Sequence, residues 1–264
     1  HFRAFTFDDE IFILDRNRAM QVSQGLIERD IDLPFGANGR IDKIDPELLE
    51  TLVGAGCCSM WFGLESGSER MINKYKKGFT LEEARRRIAM AAKIVPSIVV
   101  HYIFGYPDET WQDFEDIIES ALRLREETGV KIALRRLRPL PFSPIHDEFG
   151  HTMYLDTDFL YRNETDRFLF SEDIIRNHPM VGSNFYVYPT DQIHRKYHTA
   201  DHLIDALHSK GLEPSLVWHR AKSFFRRRRM NALFPVSVLL TALVTAWFVY
   251  QDLQPGADPF AVAG

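Results

Sequence analysis

Only two cysteines occur in the 264 residues, and they are neighbours, Cys57 and Cys58. Adjacent thiols cannot readily bridge each other and cannot alone hold a metal ion or cluster, so the chain is expected to carry neither a disulfide framework nor a metal site of its own. Sparse cysteine fits a reducing compartment. An excess of basic charge is missing too. With 32 Lys and Arg against 37 Asp and Glu, a net charge of −5 and a pI near 6.1, the chain lacks the basic face of a general nucleic-acid binder. No initiator methionine precedes His1 and no signal-peptide pattern follows it, so the sequence reads as a fragment.

The 45% hydrophobic and 26% charged residues suffice for one large globular domain plus an appendage. From Arg3 to about Arg138, short apolar runs alternate with amphipathic stretches, the pattern of βα units and a parallel sheet. Strands are expected at Ala4–Phe7, Pro34–Asn38, Met60–Glu65, Ile98–Phe104 and Lys131–Leu137, the second weakened by Pro34, Gly36 and Gly39. Asp45 and Pro46 supply an N-cap and an N1 proline for a helix buried through Leu48, Leu49 and Leu52, with Gly56 as its stop. Thr80-Leu81-Glu82-Glu83 reads as a capping box before Ala84, Ile88, Ala91 and Val95. Thr110 caps a third helix, with Phe114, Ile117, Ile118, Ala121 and Leu122 inward and an end near Gly129. Right-handed crossovers can wind these units into a barrel or a doubly wound sheet, and pattern alone does not choose.

In α/β folds the chemistry sits at the carboxyl ends of the strands and in the loops that follow. Those places carry polar motifs here: Phe7-Asp8-Asp9-Glu10, Arg40-Ile41-Asp42, Phe62-Gly63-Leu64-Glu65-Ser66-Gly67-Ser68, and Tyr102-Ile103-Phe104-Gly105-Tyr106-Pro107-Asp108-Glu109-Thr110. Arg138-Pro139-Leu140-Pro141-Phe142-Ser143-Pro144 follows the last strand and cannot continue regular structure. A carboxylate that can accept two hydroxyl hydrogen bonds, small residues that let backbone approach, and acceptors for an ammonium form one set: Glu65 with Gly63 and Gly67, and Asp8 with Asp9. Seen singly, each motif is also an ordinary turn or helix start.

In this order the segments resemble the radical S-adenosylmethionine (SAM) superfamily, in particular the branch that often carries an upstream cobalamin-binding domain, over about half of the chain. The resemblance implies an α/β fold: a partial (β/α)6 TIM-like barrel holding strands 2–6. It places Asp8 and Asp9 near the amino end of SAM, Arg40 after the third barrel strand, Gly63, Glu65, Ser66 and Gly67 with Ser68 near the ribose, and Ile103, Gly105, Pro107 and Glu109 with Thr110 near the adenine. Two departures stand out. The family's three-cysteine motif for a 4Fe-4S cluster is absent and is expected upstream of His1, so this chain alone should not cleave SAM. His101 and Asp108 replace residues that are usually small.

Beyond the barrel segment (1–148), residues 149–229 read as a mainly helical extension, 230–250 as a membrane-spanning helix and 251–264 as a short tail. His194, His198 and His202 recur at intervals of four, spacing that suits either a zinc pair or a polar stripe. Arg226–Arg229 precede an uncharged run from Met230 to Tyr250, long enough to cross a bilayer with its amino end cytoplasmic. The expectation is therefore a membrane-tethered radical SAM enzyme at the cytoplasmic face, forming a 5′-deoxyadenosyl radical for methylation, cyclisation or other C–H chemistry on a hydrophobic substrate. SAM, an iron–sulfur cluster and, through an upstream domain, cobalamin are its implied cofactors; ferredoxin or flavodoxin is its implied electron donor. The rivals are a barrel enzyme of another class and a non-catalytic anchored module that keeps the fold.

Overall fold

The structure, a computed structural model, describes residues 4–157, 171–208 and 218, with the backbone alone at 202 and 205–208. The chain divides into two compact units, His1–Ile193 and His194–Gly264. In the first, five parallel strands lie side by side in chain order: β1 (Phe5–Phe7), β2 (Phe35–Gly39), β3 (Cys57–Glu65), β4 (Ile98–Phe104) and β5 (Lys131–Arg136). A doubly wound sheet reverses its strand order and is covered on both faces. Here the order never reverses, and among the described residues only one face is packed under helices, which is how a barrel wall is built.

Side-chain alternation produces that one-sidedness. Phe35, Ala37, Met60, Phe62, Leu64, Val100, Tyr102, Phe104, Ile132 and Leu134 are buried on the outer face. They share the core with Leu48, Leu49 and Leu52 of α2 (Pro46–Gly54), Ala84, Ile88 and Ala91 of α4 (Leu81–Ala91) and Phe114, Ile117, Ile118 and Ala121 of α5 (Trp111–Thr128). Each fully buried large apolar side chain contributes about 1.5–3 kcal/mol. The alternate residues, Asn38, Trp61, Gly63, His101, Ile103, Ala133 and Arg135, turn to the opposite, concave face and keep some exposure. Gly36 is required there, because a methyl group on it would overlap the Trp61 ring.

The helix ends follow the sequence signals. Asp45 accepts the Leu48 amide at 2.9 Å, Thr80 accepts the Glu83 amide at 3.1 Å, and Thr110 with Asp113 closes a reciprocal capping box. Gly129, at φ 73°, ends α5. β2 runs one residue further than expected, β3 starts three earlier, and β5 stops at Arg136. A helix absent from the sequence reading, α1 (Arg16–Glu28), is capped by Asp15 and packs beside α2; it buries only Ala19 and Ser23, so its apolar stripe is faint. α3 (Glu69–Lys74) is a further short helix after β3.

Beyond β5 come α6 (Pro144–Phe149), β6 (Tyr154–Leu155), α7 (Glu172–Asn177) and β7 (Tyr186–Val187). The sequence reading of 149–229 as mainly helical did not include β6 and β7, two-residue strands that pair antiparallel. Ile175, Phe185 and Tyr186 form a small core there with Met153 and Leu155, and that core holds the ribbon. The second unit contributes most of α8 (Ile193–His208), which carries the 194/198/202 histidine spacing; the His202 side chain is outside the described residues. So is the expected membrane span at 230–250. Among the described residues no helix is long and apolar enough to cross a membrane, and no three His, Cys, Asp or Glu are grouped to hold a metal.

Candidate functional site

Glu65 ends β3 at a register irregularity, where Gly63 faces His101 and Glu65 itself faces Tyr102. Its backbone is left-handed, φ 70°. The side chain folds back along the concave face over Gly63, where a methyl group would overlap Oε1. Oε1 accepts from Lys77 Nζ at 3.1 Å; Oε2 is buried with no hydrogen-bond partner. A buried carboxylate oxygen without a donor is costly, and a ligand hydroxyl would satisfy it.

Around this carboxylate lies a cleft of about 390 Å³, lined among others by Glu10, Arg40, Trp61, Lys77, His101 and Ile103. Lys77 escaped the sequence reading, since nothing local marks it; α3 and the turn after it carry the lysine back to the strand end. His101 stands on β4 opposite Gly63 and Ala133. Burial first, and then the Arg135 guanidinium, push its pKa below the ordinary imidazole value, while Glu65 pulls the other way.

The other expected site residues fall into two groups. Arg40 lines the cleft but is held by Asp42 at 2.9 Å and also donates to the Lys77 carbonyl at 3.3 Å. Asp9 pairs with Arg18 at 2.8 Å, and its carbonyl accepts from Asn38, which fixes the β1 loop beside β2; Asp8 is exposed. Ile103 is on the concave face, and Gly105, at φ 95°, turns the chain away from β4 into Pro107. Glu109 is buried with its carboxylate receiving the Gly105 amide at 3.1 Å, so it shapes that turn from within. Gly67 and Ser66 lie off the concave face. A methyl on Gly67 would strike the Asp116 carbonyl and come within 2.6 Å of Ser120 Cβ on α5, so its smallness serves helix packing. Ser66 Oγ accepts the Ser68 amide at 3.1 Å.

A polar knot fixes the loops behind the site. Asp113 accepts from Ser68 at 2.6 Å, from Thr110 and from Arg70. Burial would raise this carboxyl, but Arg70, Ser68 and Thr110 hold it well below the usual carboxylate range. Asp108 joins the same knot through Tyr75 and Lys74, each at 2.6 Å, and the Tyr75 and Tyr106 rings meet at 4.4 Å. Both cysteines lie elsewhere, at the start of β3. Seven strand steps, roughly 23 Å, separate Cys58 from Glu65.

The sequence model of the radical SAM superfamily matches residues 6–121, the stretch from β1 into α5 that builds this cleft. Residues 6–121 are a radical SAM domain. An uncharacterized methyltransferase of Pyrococcus horikoshii is 28% identical to this chain over 118 residues, 45% of its length and 26% of that protein's. The anaerobic magnesium-protoporphyrin IX monomethyl ester cyclase of Rubrivivax gelatinosus is 25% identical over 148 residues, 55% of this chain and 26% of the relative. Among solved structures, the cobalamin-dependent radical SAM enzyme OxsB superposes with a TM-score of 0.51 at 13% identity, over 97% of this chain and 44% of its own; the shared feature is the fold. The chain spans about a quarter of the length of the curated relatives it matches.

Proposed function

We propose that the radical SAM domain binds S-adenosylmethionine across the carboxyl ends of β1–β4, with the ribose hydroxyls donating to Glu65. The observation that carries this reading is the buried, unpartnered Oε2 of Glu65 above a glycine that leaves room for it. Lys77 adds a cation suited to the methionine carboxylate, and Asp8 and Asp9 add acceptors for its ammonium. Ile103, Gly105 and Pro107 offer an apolar edge and open backbone for the adenine.

When bound, SAM and a reduced 4Fe-4S cluster supply a 5′-deoxyadenosyl radical that removes hydrogen from an unactivated carbon. Cys57 and Cys58 do not suit the cluster, being adjacent and at the far end of β3. This chain's own residues orient the nucleoside and balance its charges. Methyl transfer or cyclisation on a largely apolar substrate fits the methyltransferase and cyclase among the relatives, with cobalamin as a further cofactor and ferredoxin or flavodoxin as electron donor. The uncharged run 230–250 supports a membrane tether with the domain on the cytoplasmic side.

The test uses the intact protein, reconstituted with iron and sulfide under anaerobic conditions. Reduced enzyme should release 5′-deoxyadenosine from SAM. Glu65→Gln should weaken SAM binding by roughly ten- to a hundred-fold, as expected for loss of a charge-assisted hydrogen bond. Unchanged calorimetric affinity in a normally folded Glu65→Gln protein would remove Glu65 from the ribose site, and absence of 5′-deoxyadenosine would remove the chemistry.

A further inference from the structure

We propose that His101 and Arg135 form an anion-binding subsite on the concave face of β4 and β5, holding a carboxylate or phosphate group of the substrate beside the nucleoside over Glu65. The proposal rests on the reading of the Glu65 cleft given above and adds the chemistry of the second ligand. Along β5, Ile132 and Leu134 are buried in the outer core, so Lys131, Ala133 and Arg135 take the other face. Arg135 is exposed there, and no described residue gives it a hydrogen bond or ion pair. Lys77 and Arg40 of the cleft and the adjacent Arg136 are engaged: Lys77 with Glu65, Arg40 with Asp42, and Arg136 with Asp156 at 3.4 Å.

Register places the two groups together. His101 is opposite Ala133 and Ile103 is opposite Arg135, so the Arg135 Cα sits one strand across and two residues, about 7 Å, nearer the strand ends than that of His101. That is a diagonal pair, within reach of a long side chain. His101 is half-buried and likewise has no hydrogen-bond partner among the described residues. Its lowered pKa keeps the ring neutral, so it donates one N–H without adding a second cation beside Arg135. A planar fork plus one further donor matches the oxygens of a carboxylate or phosphate.

The methionine carboxylate of SAM is the competing occupant of such a pocket. Lys77 already stands at the Glu65 carboxylate, whereas Arg135 lies two strands from β3, beyond β4. The favoured ligand is therefore a separate molecule that carries an acidic group. Inorganic phosphate is the probe, applied to the intact protein. Reactivity of His101 toward diethylpyrocarbonate and of Arg135 toward phenylglyoxal is mapped by peptide mass spectrometry. Millimolar phosphate should slow both modifications about fivefold relative to chloride at equal ionic strength, an ordinary weak-site occupancy. Arg135→Ala should abolish the protection of His101 and leave calorimetric SAM affinity within about twofold of the parent. No protection, or equal protection of His101 in Arg135→Ala, overturns the subsite. A tenfold loss of SAM affinity in Arg135→Ala also overturns it, by giving the guanidinium to SAM itself. Failure of the nucleoside reading shows separately, as unchanged SAM affinity in Glu65→Gln.

Discussion

Gly63 and Gly67 lie four residues apart in one motif, yet a methyl group meets different neighbours at each. At Gly63 it meets the Glu65 carboxylate; at Gly67 it meets the backbone of α5. Gly63→Ala should therefore weaken SAM binding by about tenfold or more and leave the melting curve nearly in place, because a side chain can swing aside where a helix cannot. Gly67→Ala should cost about 1–3 kcal/mol of stability from overpacking. Parallel calorimetry and thermal melts on both variants check this, and equal stability losses would refute it. From the sequence the two glycines look alike, since a small residue beside a ligand motif can make room for a ligand or for a helix. Glu65 was legible from its place after an apolar strand. Lys77 was not, because only the path of α3 brings it to Glu65.

At the scale of elements, α3 has six residues, too short to persist alone, and it is tied down by the Asp113 and Asp108 knot. Asp113→Asn should destabilise the fold by about 1–3 kcal/mol at neutral pH. Since the folded-state pKa lies below the unfolded value of about 3.9, the carboxylate's contribution is complete above that value and fades as pH falls below it. Denaturant titrations should show the gap between parent and variant narrowing from about pH 4 to pH 2. A constant gap would mean that charge is not the cause. Caps such as Thr110 with Asp113 and Asp45 with Pro46 were readable because their chemistry is local. α1 was missed because it turns few apolar residues inward, and the β6–β7 ribbon because a pair of two-residue strands has too short a period to register.

At the scale of the molecule, the barrel wall was implied by the family resemblance and not by periodicity, which gives strands and helices but not the faces that meet. The two cysteines report on that wall. Cys57 is buried under the outer core and its thiol is pushed up to about 12 by burial, whereas Cys58 is exposed. An aromatic disulfide reagent should label Cys58 in the native protein and reach Cys57 at the rate at which β2 and β3 separate, so its slow phase measures opening of the sheet. Rapid labelling of both thiols in native buffer would contradict the packing of β3.

The left-handed backbone at Glu65 sets stability against activity. A glutamate held there is strained by about 1 kcal/mol or more, and glycine would relieve it at once. Glu65→Gly should therefore melt higher than the parent while losing its hold on SAM. Selection for heat resistance alone would erode this position, so a thermostable variant of the protein should be checked for function before any other property.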